Sequence, residues 1–130
     1  MSPFLAAVIA AAWLATPPAF FAWLRSWKPA HTRKLLGRGA VLVDLGTPDE
    51  YASEHLAGAV NVPYEALALR QDELGEHERP IVLYARSRLL GIEAAQTLRG
   101  IGFHEVFDAG TLADVESWEV RPPIEVRAQA

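Results

Sequence analysis

The sequence predicts an α/β fold: a short central parallel sheet with helices on both faces, preceded by one apolar N-terminal helix. Three observations predict it. Short strand-like runs recur at residues 40–45 (AVLVDL), 59–63 (AVNVP), 81–85 (IVLYA) and 104–110 (HEVFDAG), and the most apolar of them read as strands buried on both faces. Segments with helical spacing or capping signals separate these runs, the alternation expected of a parallel sheet. Residues 3–24 carry no charge at all.

That first stretch, PFLAAVIAAAWLATPPAFFAWL, is close to the roughly 20 residues that cross about 30 Å of hydrocarbon as a helix. Pro17 and Pro18 fall near its middle, where membrane helices tolerate kinks better than soluble ones. One transmembrane helix is therefore expected over residues 3–24, within an anchor of residues 1–29. The alternative is a cleaved signal peptide and a periplasmic product. It is the weaker fit, because no Lys or Arg precedes the apolar stretch and the small-residue triplet Ala10–Ala12 comes too early. Arg25, Lys28, Arg33, Lys34 and Arg38 follow the span, so the positive-inside rule places the remaining chain on the cytoplasmic side of the inner membrane. Trp23 and Trp27 are expected as interfacial anchors.

Residues 30–39 (AHTRKLLGRG) read as a short helix closed by Gly37 or Gly39, and residues 40–45 as the first strand. A helix then opens with Thr47 as N-cap, Pro48 at its first position and Glu50 completing a capping box; it is expected to end near His55 or Leu56, before Gly58. Residues 59–63 form a second extended piece closed by Pro63. Tyr64, Leu67 and Leu69 have helical spacing, and GEHERP (75–80) turns the chain. Residues 81–85 are the most apolar strand. Ile92, Ala95 and Leu98 mark the inner face of the next helix, which Gly100 or Gly102 stops. A last strand (104–110), a last short helix (111–118) and a tail at 121–130, a surface strap or disordered, complete a globular region of residues 30–120.

The 130 residues carry a formal charge of −4 with 51% apolar residues, enough for one domain with a core. Both basic residues of 1–29 lie outside the globular part, which keeps ten basic and sixteen acidic residues and so a charge near −6. Such a surface offers no basic stripe for nucleic acid. No cysteine is present, which excludes disulfides, thiolate metal sites and a cysteine nucleophile. His55 and His104 are separated, with no metal-ligand spacing to join them to an acid pair, so they do not read as a zinc site, and no cofactor is implied.

The segment VLVDLGTPDEYASEHLAGAVNVP resembles the opening motif of rhodanese-like domains: an aspartate ending a strand, a Pro-x-Glu-Tyr helix, then His-x-x-Gly-Ala-x-Asn-x-Pro. Asp44, Pro48, Glu50, Tyr51, His55, Gly58, Ala59, Asn61 and Pro63 fit it. IVLYARSRLLGIEAAQTLRGIGFHEVFDAG resembles the second motif, and Trp118 stands where the closing helix often carries a tryptophan. The resemblance covers about residues 31–120 and implies a sulfurtransferase fold. In that family a cysteine opens a six-residue loop, Cys-x-x-Gly-x-Arg, whose backbone N–H groups and following helix stabilise a thiolate or persulfide.

The matching positions here are Ala85, Arg86, Ser87, Arg88, Leu89 and Leu90. Alanine replaces the nucleophile, Arg88 the glycine and Leu90 the closing arginine, while Gly46 stands where the first motif often has arginine. Alanine has no lone pair to attack sulfur, so covalent sulfur transfer by the usual route is chemically closed. Ser87 is the nearest hydroxyl but has no histidine in the loop to activate it, and is expected to N-cap the helix beginning near Leu89. Arg86, Ser87, Arg88 and Asp44 are the candidate anion-binding residues, with sulfate, phosphate or a partner's carboxylate as ligand. The competing expectation is that Leu89 and Leu90 fill the old pocket, and Asp44 is expected to cap or to bond within its loop. The sequence thus points to a non-catalytic, membrane-tethered module for an unknown protein partner or small oxyanion; the alternative is a sulfurtransferase-type enzyme that uses a partner's cysteine.

Overall fold

Four strands form a parallel sheet in the order β3-β1-β4-β5: β1 (Val41–Asp44), β3 (Val60–Asn61), β4 (Ile81–Ala85) and β5 (Val106–Thr111). A separate antiparallel ribbon pairs β2 (Glu54–Leu56) with β6 (Val126–Ala128). The computed structural model describes residues 2–15, 18–118 and 126–128.

The period of two along the strands divides the interior into two layers. Val41, Val43, Ile81, Leu83 and Ala85 face α4 (Arg88–Ile101) and pack on its Ala94, Ala95 and Leu98. Leu42, Val82 and Tyr84 face the other way, onto Leu35 of α2 (Pro18–Gly37) and onto Leu112 and Val115 of α5 (Leu112–Glu116). The sheet is thus covered on both faces, as the alternation predicts.

Local signals placed most elements. Thr47 Oγ1 accepts the Glu50 N–H at 3.1 Å and Glu50 Oε1 accepts the Thr47 N–H at 2.9 Å, completing the expected capping box of α3 (Pro48–Ser53). Gly102, at φ +126°, caps the end of α4, a backbone conformation that favours glycine.

Several expectations are corrected. Helix α3 stops at Ser53 rather than near His55, because Glu54 is already extended and opens β2. The spacing at 64–74 yields two 3₁₀ turns, Tyr64–Ala66 and Gln71–Leu74, in place of an α-helix. Helix α4 starts at Arg88, next to the expected Leu89, but Ile92, assigned inward, is 50% exposed. Residues 126–128 of the tail form β6, and residues 119–125 lie outside the described residues.

The single transmembrane helix expected over residues 3–24 is also corrected. Two helices occupy this stretch, α1 (Pro3–Ala15) and the start of α2. Pro18 takes the first position of α2, where its missing N–H costs nothing, and proline disfavours helical geometry in the residue before it. Helix α1 has 13 residues, about 20 Å at 1.5 Å per residue, and α2 carries Arg25, Lys28, Arg33 and Lys34. Among the described residues no helix is long and apolar enough to cross a membrane. Residues 30–37, expected as a separate helix, are the last turns of α2, which runs through the 29/30 boundary. Pro29, Thr32 and Leu35 are buried there, and Trp27 and His31 set their rings edge-on to Phe107 at 5.8 and 4.6 Å. Trp27 therefore packs on the domain; the Trp23 side chain lies outside the described residues.

Candidate functional site

Ala85 ends β4, buried on the α4 side of the sheet. Only Arg86 and Ser87 separate it from the first residue of α4. The last three positions of the six-residue segment 85–90 are therefore helical. Arg88, Leu89 and Leu90 are good helix formers, so with no glycine in the segment the local preference extends the helix toward the strand. No non-glycine residue has positive φ among the described residues, and the turn from β4 into α4 needs none.

Arg86 points away from the segment and into the neighbouring strand end. Its Nη1 forms an ion pair with Asp44 Oδ1, and its Nη2 donates to the carbonyls of Glu54 and, at 3.2 Å, Glu50. Asp44 is fully buried at the end of β1. Besides Arg86 it accepts the Gly46 N–H at 2.7 Å and the Tyr84 hydroxyl at 2.6 Å, and Tyr84 Oη accepts the Leu56 N–H at 3.0 Å. Burial, and then the bond to Asp44, push the Tyr84 phenol far above its ordinary range, so it remains a neutral donor. Each polar group of this buried network thus has partners, as low-dielectric surroundings require.

Gly46 explains how the guanidinium fits. A Cβ built there lies 2.6 Å from Arg86 Nη1 and 2.9 Å from Asp44 Oδ1. The position that often carries an arginine in the resembled motif is therefore empty of side chain, and an arginine arriving from the β4 end fills the space. Asn61 Nδ2 donates to the carbonyls of Asp44 and Gly46 at 3.1 and 2.8 Å, holding the same turn from the β3 side.

The remaining candidates separate. Ser87 occupies the N-cap position of α4 with extended backbone (φ −128°, ψ 136°) but makes no side-chain cap bond, so the expected N-cap hydrogen bond is corrected. Arg88 turns outward to Asp114, 3.0 Å away. Asp114 is itself the third residue of the α5 capping box with Thr111. The leucines divide: Leu90 packs against the core on the α4 side of the sheet, while Leu89 stays 63% exposed. Asp108 sets its carboxylate over the first turn of α4, 2.9 Å from a Cβ built at Gly91, and accepts the Gly110 N–H at 2.9 Å. An acid thus already stands near the positive end of this helix.

His55 is buried, stacked on Tyr51 at 3.8 Å, with its Nδ1–H donated to the Tyr51 carbonyl at 2.8 Å. His104 is exposed on the loop before β5. No cluster of three metal-ligating side chains occurs among the described residues. The anion candidates Asp44 and Arg86 are brought together, but with each other; Ser87 and Arg88 lie outside that network. Tyr84, Asp108 and Asp114 were not singled out from sequence. The alternation of β4 places Tyr84 on the face opposite Ala85, the one signal that would have paired it with Asp44.

The rhodanese-like domain family matches residues 28–109. YqhL of Bacillus subtilis (strain 168) is 35% identical over 71 residues, covering 55% of this chain and 56% of that protein. The chain thus spans about half the length of this relative. GlpE of Coxiella burnetii (strain RSA 493), named a thiosulfate sulfurtransferase, is 28% identical over 86 residues, covering 66% of this chain and 78% of that protein. Among solved structures, the Rhodanese_3-like domain of Anabaena Alr3790 superposes with a TM-score of 0.60 at 24% identity, over 68% of this chain and 98% of that one. With sequence motifs, sheet order and family match in agreement, the chain belongs to the rhodanese-like domain family.

Proposed function

We propose that this is a non-catalytic rhodanese-like module, held at the inner membrane with the domain on the cytoplasmic side, that binds a protein partner. One observation carries the reading: the family's nucleophile position holds Ala85, in a chain with no cysteine, and the segment after it is helix from Arg88 onward. Sulfane-sulfur transfer needs a thiolate and a ring of N–H donors around it. A serine route is disfavoured, since Ser87 is exposed and the histidines nearest it in sequence, His77 and His104, lie in the loops before β4 and before β5. A protein partner is favoured over a small oxyanion because the Arg86 guanidinium is directed inward and Asp108 stands near the helix start.

Membrane attachment is supported by the uncharged stretch 3–24, by the basic residues after it, and by Phe4, Leu5 and Val8, which are 78%, 55% and 52% exposed on α1. An apolar helix of this length suits insertion beside a neighbouring helix or at the interface.

The deciding experiment is the purified full chain in a thiosulfate-to-cyanide assay, together with thermal unfolding in thiosulfate, sulfate and phosphate. Turnover at the no-protein background and no saturable rise in Tm are expected; an anion bound to the native state would raise Tm by mass action. Alkaline carbonate extraction is expected to leave the chain in the membrane fraction, and a soluble periplasmic product would overturn the attachment.

The sulfurtransferase naming of GlpE supports a second reading, in which a partner lends the cysteine. It requires a turnover rate with an added cysteine-bearing protein above the rate of that protein alone.

A further inference from the structure

A cleft of about 300 Å³ opens beside the edge strand β3, away from Ala85 and the Arg86–Asp44 pair. The volume is at the lower end of small-molecule sites. Its apolar wall includes Leu36 at the end of α2, Leu42 of β1 and Val60 of β3. Val60 is 41% exposed on the outermost strand of the sheet, and its register with Val43 turns its side chain to the face opposite Leu42, so the cleft runs along the sheet edge.

Two charged residues complete the lining, Arg79 and Glu73, and they are not equivalent. Both carboxylate oxygens of Glu73 are engaged by Arg70, at 2.6 and 2.8 Å. An amine ligand would have to displace that bidentate pairing. Arg79 is held by one bond, Nε–H to the Gly39 carbonyl at 3.0 Å. Its two Nη groups make no hydrogen bond or ion pair among the described residues. The bond at Nε orients the guanidinium and leaves the Nη edge open, the edge that receives a carboxylate through two parallel N–H···O bonds.

We propose that this cleft binds a small monocarboxylate with an apolar body, its carboxylate on the Nη edge of Arg79 and its body along the sheet edge between Leu36 and Val60. The site is independent of the loop at Ala85 and does not rest on the reading given for that loop.

The test is a ¹⁵N-detected NMR titration of the full chain with phenylacetate, and with its neutral isostere phenylacetamide. Saturable shifts at the Val60 and Leu42 amides and at Arg79 Nε are expected with phenylacetate, roughly tenfold weaker with the amide and in Arg79→Gln. Val60→Ser, an exposed change that leaves the guanidinium intact, is expected to weaken binding while keeping the dispersed spectrum of the folded chain. No saturable shift in the millimolar range would overturn the proposal, and so would equal binding of acid and amide. Undiminished binding in a folded Arg79→Gln would overturn it as well.

Discussion

Arg86 and Asp44, 42 positions apart in the chain, form an ion pair across the C-terminal ends of β4 and β1. Asp44 is fully buried, and the same Arg86 guanidinium bonds the Glu54 and Glu50 carbonyls. One side chain therefore ties the sheet to α3 and β2, and the residue after the family's nucleophile position becomes part of the scaffold.

Removing one member of this pair leaves a buried charge without its partner, a loss of about 3 kcal/mol. Arg86→Met is expected to lower urea stability by that amount. Arg86→Met with Asp44→Asn is expected to regain part of it, because no uncompensated carboxylate remains. Equal loss in the single and double variants would show that the pair contributes no specific stabilisation.

Gly46→Ala tests the close approach. Gly46 has no positive φ, and the nearest atoms an alanine there meets belong to the Arg86 guanidinium and the Asp44 carboxylate. A loss of about 1–2 kcal/mol is expected in the native background. It should shrink by more than half in Arg86→Met, a coupling that a double-mutant cycle measures directly. Additive losses would place the clash elsewhere.

Ala85→Cys alone is expected to give no sulfur transfer from thiosulfate, because position 85 is buried and the helix begins three residues later. Adding Arg88→Gly and Leu90→Arg should permit the loop to leave helical geometry. Measurable turnover is expected only in the triple variant; turnover by Ala85→Cys itself would mean that the cradle survives.

Thr32 is 1% exposed and its Oγ1 has no hydrogen-bond partner among the described residues. Thr32→Val replaces that hydroxyl by a methyl group of similar size. Stability is expected to rise by up to about 1 kcal/mol, read as a higher urea midpoint at unchanged slope. A clear fall would point to a bonded hydroxyl.

Asp114 accepts the backbone N–H of Thr111, which holds its carboxyl below the ordinary range, with the Thr111 hydroxyl and the Arg88 and Lys28 charges adding to the effect. A depressed folded-state pKa contributes stability that is fully present above the unfolded value near 4 and is lost as pH falls through the folded value. Asp114→Asn is therefore expected to cost at most about 0.5 kcal/mol at pH 7, since the site is near the surface. The difference should vanish as the pH drops below 4. A difference that grows toward acid pH would contradict this sign.

Much of the fold was legible from neighbouring residues. Thr47, Pro48 and Glu50 announce the start of α3 because a capping box is closed within one turn. The apolar runs at 41–44 and 81–85 announce β1 and β4 because burial on both faces demands them. The identity of Ala85 settled, by elementary chemistry, which nucleophile is missing. Where sequence reasoning misplaced elements, at 54–56 and 64–74, the local helical signal was short and tertiary packing overrode it: β2 pairs with β6, and Leu67, just after the first 3₁₀ turn, and Leu74, in the second, are buried in the core.

By itself the sequence determined the family, the order along the chain of the four strands of the parallel sheet, and the absent thiol, since each is written in contiguous residues. Only the tertiary structure decided what Arg86 does. Its side chain is free to turn toward the loop or toward β1, and the choice follows from parallel pairing that sets Asp44 opposite Tyr84, and from the empty space at Gly46. Both conditions join residues about forty positions apart, beyond the reach of any local pattern.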